Sequence, residues 1–133
     1  MRVYLDAAPV IYLIERVAPF DGLVRTYLTT GQVALVASEI TRLETRTRPI
    51  RDNQAAILAN FDSFYSSQVS EIVALDRAVI DAATRIRAEH GFRTPDAIHL
   101  AAAMVAVCDI FLTNDRRLAG FPGISIVLVD ELI

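Results

Sequence analysis

The chain has 133 residues, which suits one domain around one core. Hydrophobic residues make up 53 %, which excludes a disordered chain, and the net charge of −3 excludes a protein that coats nucleic acid nonspecifically while leaving room for a nuclease with a local basic rim. The single Cys108 excludes both an internal disulfide framework and a cysteine-based zinc site.

Arg2 to Leu5 is a short β-prone run, closed at once by Asp6. "AAPVIYLIE" then reads as a helix that tolerates Pro9 in its first turn. Phe20 to Leu28 suits an amphipathic helix ended near Gly31. Val33 to Ala37 is a continuous apolar run, as in a strand buried on both faces. Ser38 sits where it can cap the next helix, which carries Glu44 and is expected to stop at Pro49. Asp52 to about Tyr65 is a further helix, and Ile72 to Leu75 a third strand.

Asp76 opens a helix with Val79, Ala82, Ala83 and Ile86 on one face and Arg77, Asp81 and Arg85 on the other; Gly91 ends it. In "RTPDAIHLAAAM" the spacing predicts Thr94 as N-cap, Pro95 at the first helical position and Asp96 in the first turn, with the helix running to about Val107. Ile110 to Leu112 is a fourth strand, followed by a short helix from Asp115 to Leu118. "FPG" turns the chain into a fifth strand, Ile124 to Val129. The alternation predicts one domain over residues 1–133: an α/β/α three-layer sandwich on a mostly parallel five-stranded sheet. The longest apolar run, Leu100 to Cys108, is too short to span a membrane, and the N-terminus enters a strand without a leader, so the expected location is the cytoplasm.

In an open parallel sheet, ligands bind outside the carboxyl ends of the strands. Asp6, Glu39, Glu44, Asp76, Asp96 and Asp115 all fall just after a strand or early in a helix. Capping accounts for Asp76, and dipole complementarity for Glu39. Asp115 taken alone also reads as a cap. Asp6 lies between two apolar runs, where an unpaired carboxylate is costly. Glu44 is too far into its helix to cap it, and Asp96 follows a residue that already supplies a cap. Asp6, Glu44, Asp96 and Asp115 therefore remain, from four segments that reach one edge of the sheet. Four ionised carboxylates in one site need a counter-charge. All 13 basic residues are Arg. A hard divalent cation answers that need, and an oxygen ligand set suits Mg²⁺ or Mn²⁺. His99, in "AIHLAAA", reads as a hydrogen-bonded packing residue rather than a ligand. His90 reads as a helix C-terminal residue and Cys108 as a small core residue.

With "VYLDAAPVIYLIE", "VASEITRLETRTRP", "FRTPDAIHLAAAM" and "DIFLTNDRRL" in this order, nearly the whole chain resembles the PIN-domain family, and within it the VapC-type toxins of toxin–antitoxin pairs. The resemblance implies a Mg²⁺- or Mn²⁺-dependent endoribonuclease that hydrolyses RNA phosphodiester bonds with an activated water. Its acidic quartet maps by motif onto Asp6, Glu44, Asp96 and Asp115. It places Ser38 and Thr113 beside the acids, although capping and strand-end hydrogen bonding explain those two as well. It also implies a homodimer and a VapB-like antitoxin partner. Arg42, Arg46, Arg48, Arg51, Arg93, Arg116 and Arg117 flank the acids; Arg46, Arg93 and Arg116 are the named candidates for an RNA-binding rim, since guanidinium holds phosphate bidentately. A solvated face or antitoxin contacts are the plainer alternative for them. The rival readings are a receiver domain, which needs a Lys this chain lacks, and a haloacid-dehalogenase-like phosphatase, which needs a second Asp where Ala8 stands. A PIN-like domain that binds RNA or antitoxin without cutting is the non-enzymatic alternative.

Overall fold

The computed structural model describes residues 1–132. Five strands form one sheet: β1 (Arg2–Leu5), β2 (Ala34–Ser38), β3 (Glu71–Val73), β4 (Ile110–Thr113) and β5 (Ser125–Leu128). Their order is β3-β2-β1-β4-β5, and every pairing is parallel, so the sheet is wholly rather than mostly parallel. Six α-helices connect them: α1 (Ala7–Glu15), α2 (Phe20–Thr29), α3 (Glu39–Arg51), α4 (Ala55–Ser67), α5 (Arg77–His90) and α6 (Thr94–Val105). Short 3-10 turns follow β4 and β5.

Side chains on a strand alternate between faces, and here both faces are buried. Tyr4, Val36, Val73 and Phe111 point to one side, where they meet Val79, Ala83 and Ile86 of α5 and Ala97, Leu100 and Ala101 of α6. Val3, Leu5, Ala37 and Leu112 point to the other, against Val10 of α1, Val24 of α2 and Phe61, Phe64 and Tyr65 of α4. The result is the expected α/β/α sandwich. α3 touches α1 and α4 of one layer and α6 of the other, so it bridges the layers where β2 ends.

Most boundaries fall where the sequence places them. Asp76 accepts a hydrogen bond from the Val79 N–H at 3.0 Å, as a cap should. Gly91 takes a left-handed conformation at φ 74° and closes α5 through its N–H to the Arg87 carbonyl. One stop signal, one cap and two boundaries are corrected. Pro49 does not stop α3, which runs on to Arg51; the ring is buried, and its packing offsets the one backbone donor it lacks. Thr94 does not cap α6. The Arg93 carbonyl accepts the first helical bond, from the Ala97 N–H at 3.0 Å, so the cap position is Arg93 and Thr94 is already helical. α4 starts at Ala55 rather than Asp52, and β3 ends at Val73 rather than Leu75.

Candidate active site

The strand order reverses direction between β1 and β4, since the chain adds β2 on one side of β1 and β4 on the other. That switch point opens a crevice at the carboxyl ends of the strands. Asp6 stands at its lip. Its N–H donates to the Leu112 carbonyl at 3.0 Å, carrying the β1–β4 ladder one residue further. Its side chain turns back as the cap of α1, with Oδ1 accepting from the Ala7 N–H at 2.9 Å. The other oxygen, Oδ2, accepts from the Thr113 hydroxyl at 2.7 Å. Thr113, fully buried at the end of β4, also accepts the Asp115 N–H at 3.0 Å. One hydroxyl thus braces two of the predicted acids.

Glu44 enters from α3, and its Oε1 lies 2.5 Å from His99 Nε2. The same nitrogen is 3.3 Å from Asp6 Oδ1. One donor atom from each of Asp6, Glu44 and His99 falls within 4.8 Å of the others. His99 is 2 % exposed, whereas Asp6 and Glu44 remain open to solvent at 16 % and 33 %. Burial alone would lower the His99 pKa; the hydrogen bond to Glu44 and the charges of Asp6, Glu44 and Asp96 outweigh it, and the net direction is up.

Asp96 and Asp115 form a second pair, joined by Arg117. Arg117 donates to both oxygens of Asp115 and approaches Asp96 Oδ2 to 3.6 Å. Burial raises the Asp96 pKa; Arg117 and Arg93 oppose this, and the neighbouring Asp115 and Asp6 add to it. Asp115 goes the other way: the Arg117 hydrogen bond holds it below the usual carboxylate range. Asp115 also caps the 3-10 turn after β4 through the Arg117 N–H, so its capping and site positions coincide.

All four acids therefore meet at one place, as two pairs rather than as one cluster. His99 is the buried, hydrogen-bonded residue its sequence context predicts, but its partners include acids of the site. Its i,i+3 spacing from Asp96 was the available signal, because that spacing puts both on one face of α6. The counter-charge is also greater than composition suggested: a buried imidazole faces one pair and an exposed guanidinium the other. Four carboxylates still outnumber them. Oxygen donors that share hydrogen bonds, with one imidazole near them, fit a hard divalent cation. Ser38 sits at the end of β2, 0 % exposed, with its hydroxyl 2.7 Å from the Tyr4 hydroxyl.

An open cleft of about 570 Å³ is lined by Asp6, Glu44, Thr113, Asn114, Asp115, Arg116 and Arg117 among others; Asp96 lies beside it, 3.6 Å from Arg117. Of the three arginines singled out for RNA, Arg116 lines the cleft, held by Asp130 and Glu131 at 3.1 and 3.2 Å. Arg93 is largely exposed, 3.7 Å from Asp96. Arg46 is tied to Asp62 of α4 at 2.8 Å. No helix among the described residues is long and apolar enough to cross a membrane.

The same fold is found in solved toxin–antitoxin structures. The chain is similar to one in VapBC2 from Rickettsia felis bound to a DNA fragment from its promoter, with a TM-score of 0.79 and 15 % identity, covering 96 % of this chain and 98 % of that one. It is similar to a chain of DNA-bound VapBC from Salmonella typhimurium, with a TM-score of 0.77 and 21 % identity over 97 % and 98 % of the two chains. It is also similar to VapC20 of Mycobacterium tuberculosis, described as a Sarcin-Ricin loop cleaving toxin, with a TM-score of 0.72 and 15 % identity over 92 % and 98 %. No curated protein matches the chain in sequence. Residues 3–124, from the middle of β1 to the threshold of β5, match the PIN domain family, and with its acids gathered at the β1–β4 switch point the chain belongs to that family.

Proposed function

We propose that the chain, as one PIN domain over residues 1–133, is a Mg²⁺- or Mn²⁺-dependent endoribonuclease and the toxin of a type II toxin–antitoxin pair. Its partners are a VapB-like antitoxin and a second copy of itself, and it works in the cytoplasm. The observation that carries the reading is the gathering of Asp6, Glu44 and Asp115 on one solvent-open cleft, with Asp96 3.6 Å from the Arg117 that lines it. Likeness in fold to chains of VapBC complexes supports the toxin assignment.

Asp6, Asp96 and Asp115 would hold the cation, with Glu44 completing the set. The chemistry such an ion would supply there is activation of a water and neutralisation of charge on the phosphate. Thr113 keeps Asp6 turned into the cleft through its 2.7 Å hydrogen bond. Glu44, the most exposed of the four, would complete the ion's shell or orient the attacking water. Arg116 at the cleft and Arg93 beside Asp96 are the side chains that would take the flanking phosphates; Arg46 would do so only by leaving Asp62.

The test is calorimetric titration of Mg²⁺ or Mn²⁺ into the wild type and Asp96→Asn, with and without RNA, followed by cleavage assays. Binding and cleavage in the wild type that are both lost in the variant are the expected result. Equal titration of both proteins, or RNA retained uncut, would return the chain to the non-catalytic reading, a domain that binds RNA or antitoxin only.

A further inference from the structure

His99 lies close enough to Asp6 and Glu44 to complete a three-residue metal group. A hydrogen-bond count argues for a different role. A buried chain of hydroxyls runs beneath the acids: Ser38 Oγ is 2.7 Å from the Tyr4 hydroxyl, which is 2.8 Å from His99 Nδ1. Thr41 Oγ1 is near both, but it accepts the Ser38 N–H at 3.1 Å and its one proton has the Leu5 carbonyl at 3.2 Å.

Each hydroxyl has a single proton to give. Ser38 has only the Tyr4 oxygen at good distance, since Thr41 Oγ1 is 3.5 Å away. If Ser38 donates to Tyr4, Tyr4 must donate to Nδ1, because its remaining short contact is that nitrogen. An Nδ1 that accepts leaves the ring proton of neutral histidine on Nε2. Nε2 faces two carboxylate oxygens, Glu44 Oε1 at 2.5 Å and Asp6 Oδ1 at 3.3 Å, and both are acceptors. An unprotonated Nε2 would set three lone pairs against one another in a site closed to water on that side. The two ends of the ring demand the same tautomer.

We propose that His99 is a positioning residue whose Nε2 keeps its proton and pins Glu44 beside Asp6, so that the ring orients the acids and does not bind the cation. The Tyr4–Ser38 chain sets the tautomer. Tyr4 is itself fixed by stacking on Phe111, with ring centroids 5.1 Å apart. The inference rests on the proposed nuclease reading for its consequence, but not for its first test. A bound histidine gives a metal its lone pair, and here that lone pair is occupied by hydrogen. Glu44 on α3 and Asp6 after β1 belong to separate elements, and His99 on α6 is the group that touches both.

The first experiment is a long-range ¹H–¹⁵N spectrum of the ¹⁵N-histidine-labelled protein, with the His99 resonances assigned from His99→Gln. Nε2 should be protonated without Mg²⁺ and stay so when Mg²⁺ is added to saturation. An unprotonated Nε2 in the metal-free protein, or one that loses its proton to Mg²⁺, overturns the assignment whether or not the protein cuts RNA. The second experiment compares His99→Leu with His99→Gln, whose amide N–H can replace Nε2–H and whose carbonyl can accept from Tyr4. Loss of a partner behind the metal ligands typically costs about 10–100-fold in activity. His99→Leu should lose that much in kcat with little change in KM for RNA, and His99→Gln should recover most of it. Equal losses in the two would reject the donor role. Absence of cleavage in the wild type would fail the nuclease reading alone and leave the spectrum to decide this one.

Discussion

Asp6 and Asp76 do the same local job. Each precedes a helix and gives a carboxylate oxygen to a first-turn N–H, Asp6 to Ala7 and Asp76 to Val79. Only Asp6 is also held by a buried hydroxyl and faces the cleft. The two should therefore separate in experiment. Asp76→Ala should cost about 1 kcal/mol of stability, the usual worth of such a cap, and leave Mg²⁺ titration unchanged. Asp6→Asn should keep the fold and lose cleavage; metal-dependent cleavage at wild-type rate in Asp6→Asn would remove it from the site. Thr113→Val keeps the shape but leaves the Asp115 N–H without its acceptor and Asp6 Oδ2 without its donor. It should cost about 1–3 kcal/mol in chemical denaturation and weaken ion binding as well. Asp6 and Asp115 were legible in the sequence because the apolar runs before them announce strand ends, Asp96 because it opens a helix, and Glu44 because it lies too far into α3 to cap it. His99 and Tyr4 were not. Their partners come from other segments, Glu44 lying 55 residues from His99 and Ser38 34 residues from Tyr4; the i,i+3 spacing from Asp96 is the one local sign for His99, and Tyr4 has none.

The strands were read from continuous apolar runs, which is how a sheet covered on both faces must look, and the five runs gave the five strands. Helix ends were less legible, because caps and breakers compete with packing that lies elsewhere in the chain. Gly91 behaved as its residue type dictates, ending α5 in the left-handed region with open space around its Cα. Gly91→Ala should cost about 1–2 kcal/mol from backbone strain alone, read as a lower melting temperature with an unchanged metal titration. Pro49 did not behave as its type dictates. It sits near the end of a helix whose buried face it extends, and burial is a tertiary fact that a local stop signal does not contain. Thr94 was one residue off for a similar reason. Arg93 leaves the preceding loop with extended torsions and offers its carbonyl first, so the threonine hydroxyl makes no cap. Neither shift moves Glu44 off α3 or Asp96 out of the first turn of α6.

Across the whole molecule the acids set how stability depends on pH. Between pH 6 and 8 the group with a resolved shift is His99, raised above 6.5 by Glu44 and its neighbouring carboxylates against the pull of burial. A raised folded-state pKa means that the native protein binds the proton more tightly than the unfolded chain. The contribution is full below the unfolded value near 6.5 and is lost as pH rises through the folded value. Asp96, also raised, acts with the same sign at lower pH, above its ordinary 3.8. The metal-free protein should therefore melt lower at pH 8 than at pH 6. A divalent ion answers the same negative charge as the His99 proton, so Mg²⁺ should bind more tightly at pH 8 and narrow the difference. At a free concentration of about 100 times its Kd, a ligand specific for the native state adds about 2.7 kcal/mol. Thermal melts at pH 6 and 8, with and without Mg²⁺, read all of this at once. A metal-free protein equally stable at both pH values would mean that His99 titrates as it does in the unfolded chain. A Mg²⁺ effect no larger at pH 8 than at pH 6 would mean that the ion and the proton do not answer the same carboxylates.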